Sequence, residues 1–379
     1  MNTRFMKFLY TILACIFLSQ MGLSQENSTP VTVGLNYSFN SSVLNESCQL
    51  QVYAPDDYEE SAEGYPVLYI LDGQKYFLSG VAIQKALRTP RAIPNMIVVG
   101  VSTNADSRWT WFSEAKETYS NFLIDEVIPF IASRYRTNDQ NIIFGWEAGA
   151  YFASELLLKH PEVFNGAILS NGGNATNEMV KAFTSTEDTY LYMANSKKDI
   201  YNIEETDAFH EILKAHAPQN LKWTYDLQNN EIHESLAHLA LYSGLKFYYH
   251  NYNSLAFESI QDYIDRGGME YLTQYFKERA RRFGGDSGID NSTKNTLIWL
   301  AWKRDNFEYF KRFMTEFEDV LTTDRYASAY WQNRFGQFYL KHKDYPNAIK
   351  YFQAGLANYP NSRFEAQMKE GLAAAKVKD

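Results

Sequence analysis

The chain has 379 residues, of which 45% are hydrophobic and 16% aromatic, enough for one large globular domain and a smaller one. Its net charge of −9 and its lack of a basic block argue against nucleic acid or an anionic membrane surface as a partner. The seven histidines and two cysteines show none of the short spacings typical of a metal site, so we expect neither a metal nor another cofactor.

The N-terminal segment is typical of a cleavable secretory signal peptide. Arg4 and Lys7 precede an apolar run over residues 8–18, and small residues follow as far as Ser24. The run is too short for a transmembrane helix, and no stop-transfer pattern follows it. We therefore expect an exported protein, periplasmic or secreted. Residues 1–24 hold two positive charges and no negative ones, so cleavage would change the net charge from −9 to −11.

The two cysteines bear on this export. Cys15 lies within the apolar run, so a lipoprotein anchor is a less favoured alternative to cleavage. Cleavage after residue 24 would leave Cys48 alone, and the mature chain would then hold no internal disulfide.

From residue 25 to residue 252, short β-rich runs alternate with helical stretches, which predicts an α/β fold. The middle runs, such as residues 67–71 and 97–101, are continuously apolar, as expected for parallel strands that are buried on both faces. The first two runs are longer and half polar, which favours antiparallel edge strands. The predicted strands are VTVGLNYSF, CQLQVYA, VLYILDG, MIVVGVS, NIIFG, GAILSN, TYLYMAN and LKWTYDL. The predicted helices cover roughly residues 117–134, 148–160, 203–215 and 235–249.

After about residue 253 the β character ends, and an all-helical region is predicted. Phe307, Phe310, Phe313 and Phe317 fall on one helical face, which indicates packing. The glycines of RRFGGDSGIDNST predict a break between helices, and ERARR just before it predicts a solvated helix face.

The final segment, residues 326–379, resembles one tetratricopeptide unit. The matching positions are Gly336, Tyr339, Ala348, Phe352 and Pro360, while the tryptophan of the motif is displaced by one, to Trp331. A single repeat cannot bury its own apolar face. We therefore expect it to pack on the helical linker region, residues 253–325, in one module that could bind a protein partner.

Residues 142–164, IIFGWEAGAYFASELLLKHPEVF, have the strand–turn–helix outline of a nucleophile elbow. Such an elbow carries the pattern Gly-x-Ser-x-Gly. Gly145 and Gly149 keep its two glycines, but Glu147 stands at the position of the serine.

Five segments along the chain resemble, in the same order, the putative esterase family. This branch of the α/β-hydrolase fold includes S-formylglutathione hydrolase (esterase D) and the enterobactin-type siderophore esterases. The segments are YPVLYILDGQKYF, GVSTNADSRWTWFS, FLIDEVIPFIASRYRT, IIFGWEAGAYFASELLLKHPEVF and NNEIHESLAHLALYSGLKFYY. The likeness covers roughly residues 45–250. It implies a mostly parallel twisted sheet with helices on both faces, and a small-molecule ester as the ligand class.

The resemblance also implies a catalytic arrangement. It places Glu147 at the nucleophile position and His233, in EIHESL, at the position of the histidine that takes the nucleophile's proton. The acid that orients the histidine is Asp199 by position, with Glu204 and Glu205 as alternatives.

Four further residues complete the predicted site. The resemblance assigns the oxyanion hole to the backbone N–H groups of Gln74 and Ala148, which would survive replacement of the nucleophile. It also makes Arg108 a predicted substrate-binding residue that could hold a carboxylate or phenolate. Trp146 is the second predicted substrate-binding residue.

The replacement of the serine by Glu147 leaves three candidate functions. An ionised carboxylate only accepts hydrogen bonds and has no proton for His233 to take, so we expect it to form an ion pair with His233 and to leave the serine-esterase chemistry impaired or lost. Alternatively, Glu147 and His233 support ester hydrolysis without serine, with Glu147 as a nucleophile toward a carbon electrophile or as general base for a water. In the third reading the chain is a protein-interaction scaffold that acts through its helical tail.

Overall fold

The computed structural model describes residues 29–89 and 91–378, so the predicted signal peptide and Cys15 lie outside the described residues. Eight strands form one mixed sheet with the order β1-β2-β4-β3-β5-β6-β7-β8. The strands are β1 Leu35–Ser41, β2 Glu46–Tyr53, β3 Tyr65–Leu71, β4 Ile97–Val101, β5 Thr137–Trp146, β6 Gly166–Ser170, β7 Thr189–Ser196 and β8 Leu221–Gln228. This sheet, with helices packed on it, confirms the predicted α/β-hydrolase fold class.

Strands β3 to β8 are mutually parallel. Strand β2 runs antiparallel to both of its neighbours, β1 and β4. The apolar run of β3 is continuous because its side chains enter two cores in turn. Val67 and Tyr69 belong to one core, whereas Leu68 and Ile70 belong to the core on the other face of the sheet. One part of the strand prediction is wrong: β2 pairs with both β1 and β4, so β1 alone is the antiparallel edge strand.

Helices flank the sheet on both faces. In the sheet region they are α1 Gly73–Arg88, α2 Lys116–Asn121, α3 Ile128–Ala132, α4 Ala148–Lys159, α5 Asn177–Ala182, α6 Ile203–His216 and α7 Leu236–Tyr248. The π-helical segment Phe122–Val127 joins α2 to α3, so the predicted helix over residues 117–134 forms as one run. The helices α1 and α5 were absent from the sequence prediction.

The chain after residue 254 is helical and has its own apolar core. Its helices are α8 Ile260–Asp265, α9 Gly268–Phe283, α10 Asn291–Lys303, α11 Phe307–Glu316, α12 Glu318–Leu321, α13 Ala329–Lys341, α14 Tyr345–Asn358 and α15 Glu365–Lys376. Three of the four aligned phenylalanines, Phe310, Phe313 and Phe317, are fully buried in this core, and Phe307 is half-buried beside them.

Helix α9 joins the helical region to the sheet region through Arg282. Its guanidinium donates to the Tyr248 carbonyl over 2.6 Å and to Asn251 Oδ1 over 2.8 Å. The same group lies 3.7 Å from the centre of the Tyr190 ring. The prediction that ERARR forms a solvated face therefore holds for the exposed Glu278 and fails for Arg282.

Helices α13 and α14 form a closely packed hairpin. A Cβ atom at Gly336 would lie 2.5 Å from a ring carbon of Phe352, so only glycine allows the two helices this approach. Ala348 and Phe352 are fully buried at the same contact. These contacts give the small residues of the predicted repeat a packing role.

Candidate active site

Three predicted site residues, and Asp72, which was not predicted, follow the carboxyl ends of parallel strands. Asp72 comes directly after β3, Glu147 after β5, Asp199 three residues after β7, and His233 five residues after β8. Parallel strands bring their carboxyl ends to one edge of the sheet, and ligands bind outside that edge in open α/β folds. The topology thus brings together residues that are up to 161 positions apart, from Asp72 to His233.

Glu147 stands at the apex of a sharp turn between β5 and α4. Its backbone has φ 55° and ψ −120°, a conformation that L-residues rarely adopt. The turn is closed by a 2.9 Å hydrogen bond from the Glu147 N–H to the Ser170 carbonyl. A Cβ atom at Gly145 would lie 2.2 Å from the Gly149 carbonyl oxygen, whereas one at Gly149 would meet side chains at an ordinary 3.6 Å. The elbow therefore requires glycine at 145 but not at 149.

Asp199 is the acid that the structure places beside the histidine. Its Oδ2 lies 3.1 Å from His233 Nδ1, although the ring is turned so that no well-aligned hydrogen bond forms. The alternatives Glu204 and Glu205 are exposed in the first turn of α6. Asn171, which the sequence analysis did not single out, donates to Asp199 Oδ2 over 2.8 Å.

The Asp199 carboxylate is held in its charged form. Burial raises the pKa of Asp199, but hydrogen bonds from the Asn171 amide and the Tyr201 backbone N–H, with the nearby His233, outweigh burial and hold that pKa below its usual value. Asp199 can therefore stay ionised and orient the imidazole, as the acid of such a site must.

Arg108 binds two carboxylates of the site. Its Nε donates to both oxygens of Asp72 at 2.9 Å, and Asp72 is fully buried. Its Nη1 donates to Glu147 Oε2 over 3.0 Å, and its Nη2 donates to the Trp146 carbonyl over 3.0 Å. With these donors engaged, the placement of Arg108 favours an internal structural role over the predicted contact with a substrate carboxylate.

Glu147 lies between Arg108 and His233. Its Oε1 is 3.7 Å from His233 Nε2, longer than a hydrogen bond, whereas its Oε2 is in direct contact with Arg108. The nearer cation is thus the arginine rather than the histidine expected from sequence. The Glu147 side chain is 34% exposed, so the carboxylate also faces solvent.

Among the residues that the structure describes, neither of the two expected oxyanion donors has its backbone N–H engaged by the protein. Ala148 begins α4, and Gln74 lies in the first turn of α1; within the described ranges no protein group accepts a hydrogen bond from either backbone N–H. The Gln74 side chain exchanges two hydrogen bonds with the Thr103 backbone, at 2.9 and 3.0 Å. These bonds tie the first turn of α1 to the loop after β4.

Trp146 is 9% exposed and supports the loop that carries the histidine. Its Nε1 donates to the His233 carbonyl over 3.2 Å, and the two ring centres are 5.0 Å apart. Trp146 is not among the residues that line the adjacent cleft. This placement favours a supporting role over the predicted substrate contact.

A cleft of about 420 Å³ opens beside Glu147. It is lined by Trp109, Phe112, Ser113, Lys116, Glu147, Ala148, Tyr151, Glu155, Asn174, Asn202 and Glu205. Its size is sufficient for a small organic ligand. Most of these lining residues were missed from the sequence, because aromatic and polar residues in loops and first helical turns carry no motif.

A larger cavity of about 670 Å³ lies near the opposite edge of the sheet, between the loop before β4 and helix α9. None of the predicted site residues lines it.

In the part of the chain that the structure describes, no group of three or more His, Cys, Asp or Glu side chains could hold a metal ion. No helix within residues 29–89 and 91–378 is both long and apolar enough to cross a membrane.

Comparison with known families assigns the chain to a family. Residues 41–264 match the family described as Putative esterase, which is more than half of the chain. The chain belongs to this esterase family. Among curated proteins, the uncharacterized protein YbbA of Bacillus subtilis (strain 168) is 21% identical over 139 residues, a match that covers 32% of this chain and 55% of YbbA. The match therefore spans little more than half the length of that relative.

Several solved structures are similar to this esterase-family chain. An IroE-like serine hydrolase from Shewanella oneidensis has a TM-score of 0.54 at 21% identity, covering 74% of this chain and 98% of that one. A siderophore hydrolase, EstA, from Aspergillus nidulans has a TM-score of 0.51 at 16% identity, covering 60% and 99%. An uncharacterised protein from Capnocytophaga ochracea DSM 7271 has a TM-score of 0.64 at 16% identity, covering 90% and 99%. At these identities the likeness establishes the fold, and in the last case it extends into the helical region.

Proposed function

We propose that this protein is an exported member of the esterase family that is impaired or inactive as a serine esterase and retains its cleft for ligand binding. The observation that carries the proposal is the position of Glu147, at the apex of the elbow with its carboxylate 3.0 Å from the Arg108 guanidinium. The signal-peptide pattern of residues 1–24 motivates the export.

A carboxylate in this position opposes the esterase reaction in two ways. It has no proton to pass to His233, so no activated nucleophile forms at the elbow. Its negative charge also stands next to the Ala148 N–H, where an ester reaction would develop a negative oxygen. Loss of a nucleophile in a serine triad lowers the rate by roughly 10⁶-fold, and we expect the wild-type protein to hydrolyse esters more slowly than an intact serine esterase by about that factor.

The remaining machinery supports a direct test by restoring the serine. His233 Nδ1 lies 3.1 Å from Asp199 Oδ2. Within the described ranges the Ala148 N–H donates to no protein acceptor. Glu147→Ser should therefore gain esterase activity against at least one member of a panel of acetyl, feruloyl, thio- and siderophore esters. The reactive ester would also identify the substrate class that the cleft accepts.

Two variants serve as controls for that gain. Glu147→Ala removes the carboxylate without supplying a hydroxyl and should stay inactive, and Glu147→Ser combined with His233→Ala should lose the gained activity. Rapid hydrolysis of p-nitrophenyl acetate by the wild type, abolished in Glu147→Ala or His233→Ala, would refute the proposal.

A working hydrolase without serine is the second candidate, and the 34% exposure of Glu147 favours it, since a water can reach the carboxylate. In this case Glu147 would act as a general base. Glu147→Gln keeps the shape but removes the basic oxygen, so it should abolish any wild-type turnover. Turnover that is unchanged in Glu147→Gln would exclude this mechanism.

The third candidate, a protein-interaction scaffold, would bind its partner through the helical region. Trp299 on α10 is 37% exposed, and its ring centre lies 4.9 Å from that of Trp302. A partner that docks there should bind the Trp299→Ala variant more weakly in a pull-down assay. Unchanged capture would remove this surface from consideration.

A further inference from the structure

We propose that the cleft beside Glu147 takes a ligand that carries a positive charge together with a carbonyl-type acceptor, such as an alkylammonium ester. The inference rests on the proposed function, in which the cleft remains a binding site, and it specifies the chemistry of the ligand.

The cleft carries an excess of negative charge. Three carboxylates line it, those of Glu147, Glu155 and Glu205, against the single ammonium group of Lys116. Lys116 already donates to Glu155 Oε1 over 2.7 Å. Glu205 forms no ion pair within the described part of the chain, so its charge is available to a ligand.

The Arg108 guanidinium, which contacts Glu147, does not offset this excess. Arg108 is shared by Asp72 and Glu147, so one positive charge faces two negative ones at contacts of 2.9 and 3.0 Å. Its side chain is only 16% exposed, and each of its three nitrogens already donates to a protein oxygen. An anionic ligand would therefore meet net repulsion here, whereas a cation would be attracted.

Aromatic rings supply the second component of a cation site. Trp109 lines the cleft and is 61% exposed, an unusual exposure for so large an apolar side chain. Phe112 and Tyr151 line the same cleft, and the Tyr151 hydroxyl donates to Asn202 Oδ1 over 3.0 Å. A ring face beside carboxylates is the arrangement that binds ammonium groups.

Unpaired donors indicate the acceptor on the ligand. Asn202 lines the cleft at 8% exposure, and its Nδ2 has no hydrogen-bond partner within the described ranges. The Ala148 N–H, also at the cleft, likewise has none there. Buried donors are rarely left unpaired, and a ligand carbonyl at the Ala148 N–H would satisfy that donor.

The test uses two probes of matched shape and different charge. Acetylcholine carries a trimethylammonium group, and 3,3-dimethylbutyl acetate replaces its nitrogen with carbon. Isothermal titration calorimetry on the wild-type protein at low ionic strength should give a Kd for acetylcholine that is lower by roughly tenfold or more. The preference should shrink at 1 M salt, where the Debye length falls to about 3 Å.

The first turn of α6 provides a matched pair of variants. Glu205 lines the cleft and Glu204, its exposed neighbour, does not. Glu205→Gln should weaken acetylcholine binding by about fivefold and leave the neutral probe unchanged, while Glu204→Gln should change neither. Trp109→Ala should also weaken acetylcholine binding, whereas Trp299→Ala in the helical region should not.

Equal affinity for the two probes, binding of neither at millimolar concentration, or equal effects of the two glutamate variants would each overturn the inference. These outcomes are separate from the esterase assay of Glu147→Ser. A gain of activity there without charge preference here would leave the proposed function intact and refute only the cationic ligand.

Discussion

Replacing Arg108 with methionine is expected to lower the free energy of unfolding by about 3–5 kcal/mol, because it leaves a buried carboxylate without its cation. Asp72 is fully buried and accepts two hydrogen bonds of 2.9 Å from Arg108 Nε, with Nη2 also 2.9 Å from Oδ2. Within the described ranges no other side chain donates to this carboxylate. The loss is large against a typical total stability of about 5–15 kcal/mol.

Urea unfolding followed by far-ultraviolet circular dichroism measures this loss as a shift of the midpoint, expected to be about 1 M or more. The matched control is Lys85→Met. Its ion pair with Asp56 is equally short at 2.8 Å, but the two side chains are 48% and 58% exposed, so its removal should cost at most about 1 kcal/mol.

The double variant Arg108→Met with Asp72→Asn isolates the cause. Removing the buried charge along with its partner should recover part of the stability lost in Arg108→Met alone. If Arg108→Met costs no more than Lys85→Met, or if the double variant is less stable than the sum of the two single effects predicts, the buried carboxylate does not depend on this arginine for its stability.

Three further predictions concern backbone, charge and thiol. Gly145→Ala should destabilise the protein by about 3 kcal/mol or prevent folding, since its Cβ would lie 2.2 Å from the Gly149 carbonyl oxygen, whereas thermal unfolding should change little in Gly149→Ala. Burial raises the pKa of Asp290, but the hydrogen bonds it accepts, including one from Arg279, hold that pKa below its usual value. Its stabilisation is thus present above about pH 4 and lost as the pH falls through the lowered pKa. Asp290→Asn, which keeps the helix cap, should lower the free energy of unfolding by about 1 kcal/mol at pH 7 and by progressively less as the pH falls below about 4; an equal loss at pH 7 and at about pH 2 would contradict this. Burial raises the pKa of the Cys48 thiol to about 11, so a disulfide reagent at pH 8 should modify it at least about 100-fold faster in urea than in the native protein, and rapid native labelling would refute its burial.

The sheet could be predicted from the sequence because strand burial leaves a direct pattern. Every predicted strand overlaps an observed one, from the polar β1 to the apolar β3. Helix α1 was missed because a glycine in its interior weakens the helical pattern of its sequence. A Cβ at Gly80 would lie 2.2 Å from Ile70 Cδ1, so glycine lets this part of the helix pack closely on the sheet.

The candidate site could be predicted only where a motif marks it. The strand–turn–helix around Glu147 and the family order of segments located His233 and Asp199 from sequence. The ion pair of Arg108 with Asp72 could not be found in this way, because the two residues are 36 positions apart and each is unremarkable in its own loop. Asn171 was missed for the same reason, since an asparagine after a strand is an ordinary turn residue.

The helices after residue 254 share one apolar core, and this core limits where the chain could be joined to a related chain by recombination. The predicted border between residues 325 and 326 passes through that core: Tyr326 is 2% exposed, with its ring centre 5.5 Å from Phe335, and Phe310 on α11 lies 4.6 Å from Phe338 on α13. A crossover at that border would separate rings that shield one another and expose both halves to aggregation. A crossover near residues 251–258, in the connecting loop before α8, would instead transfer the helical region whole, and would need to keep the contacts of Arg282.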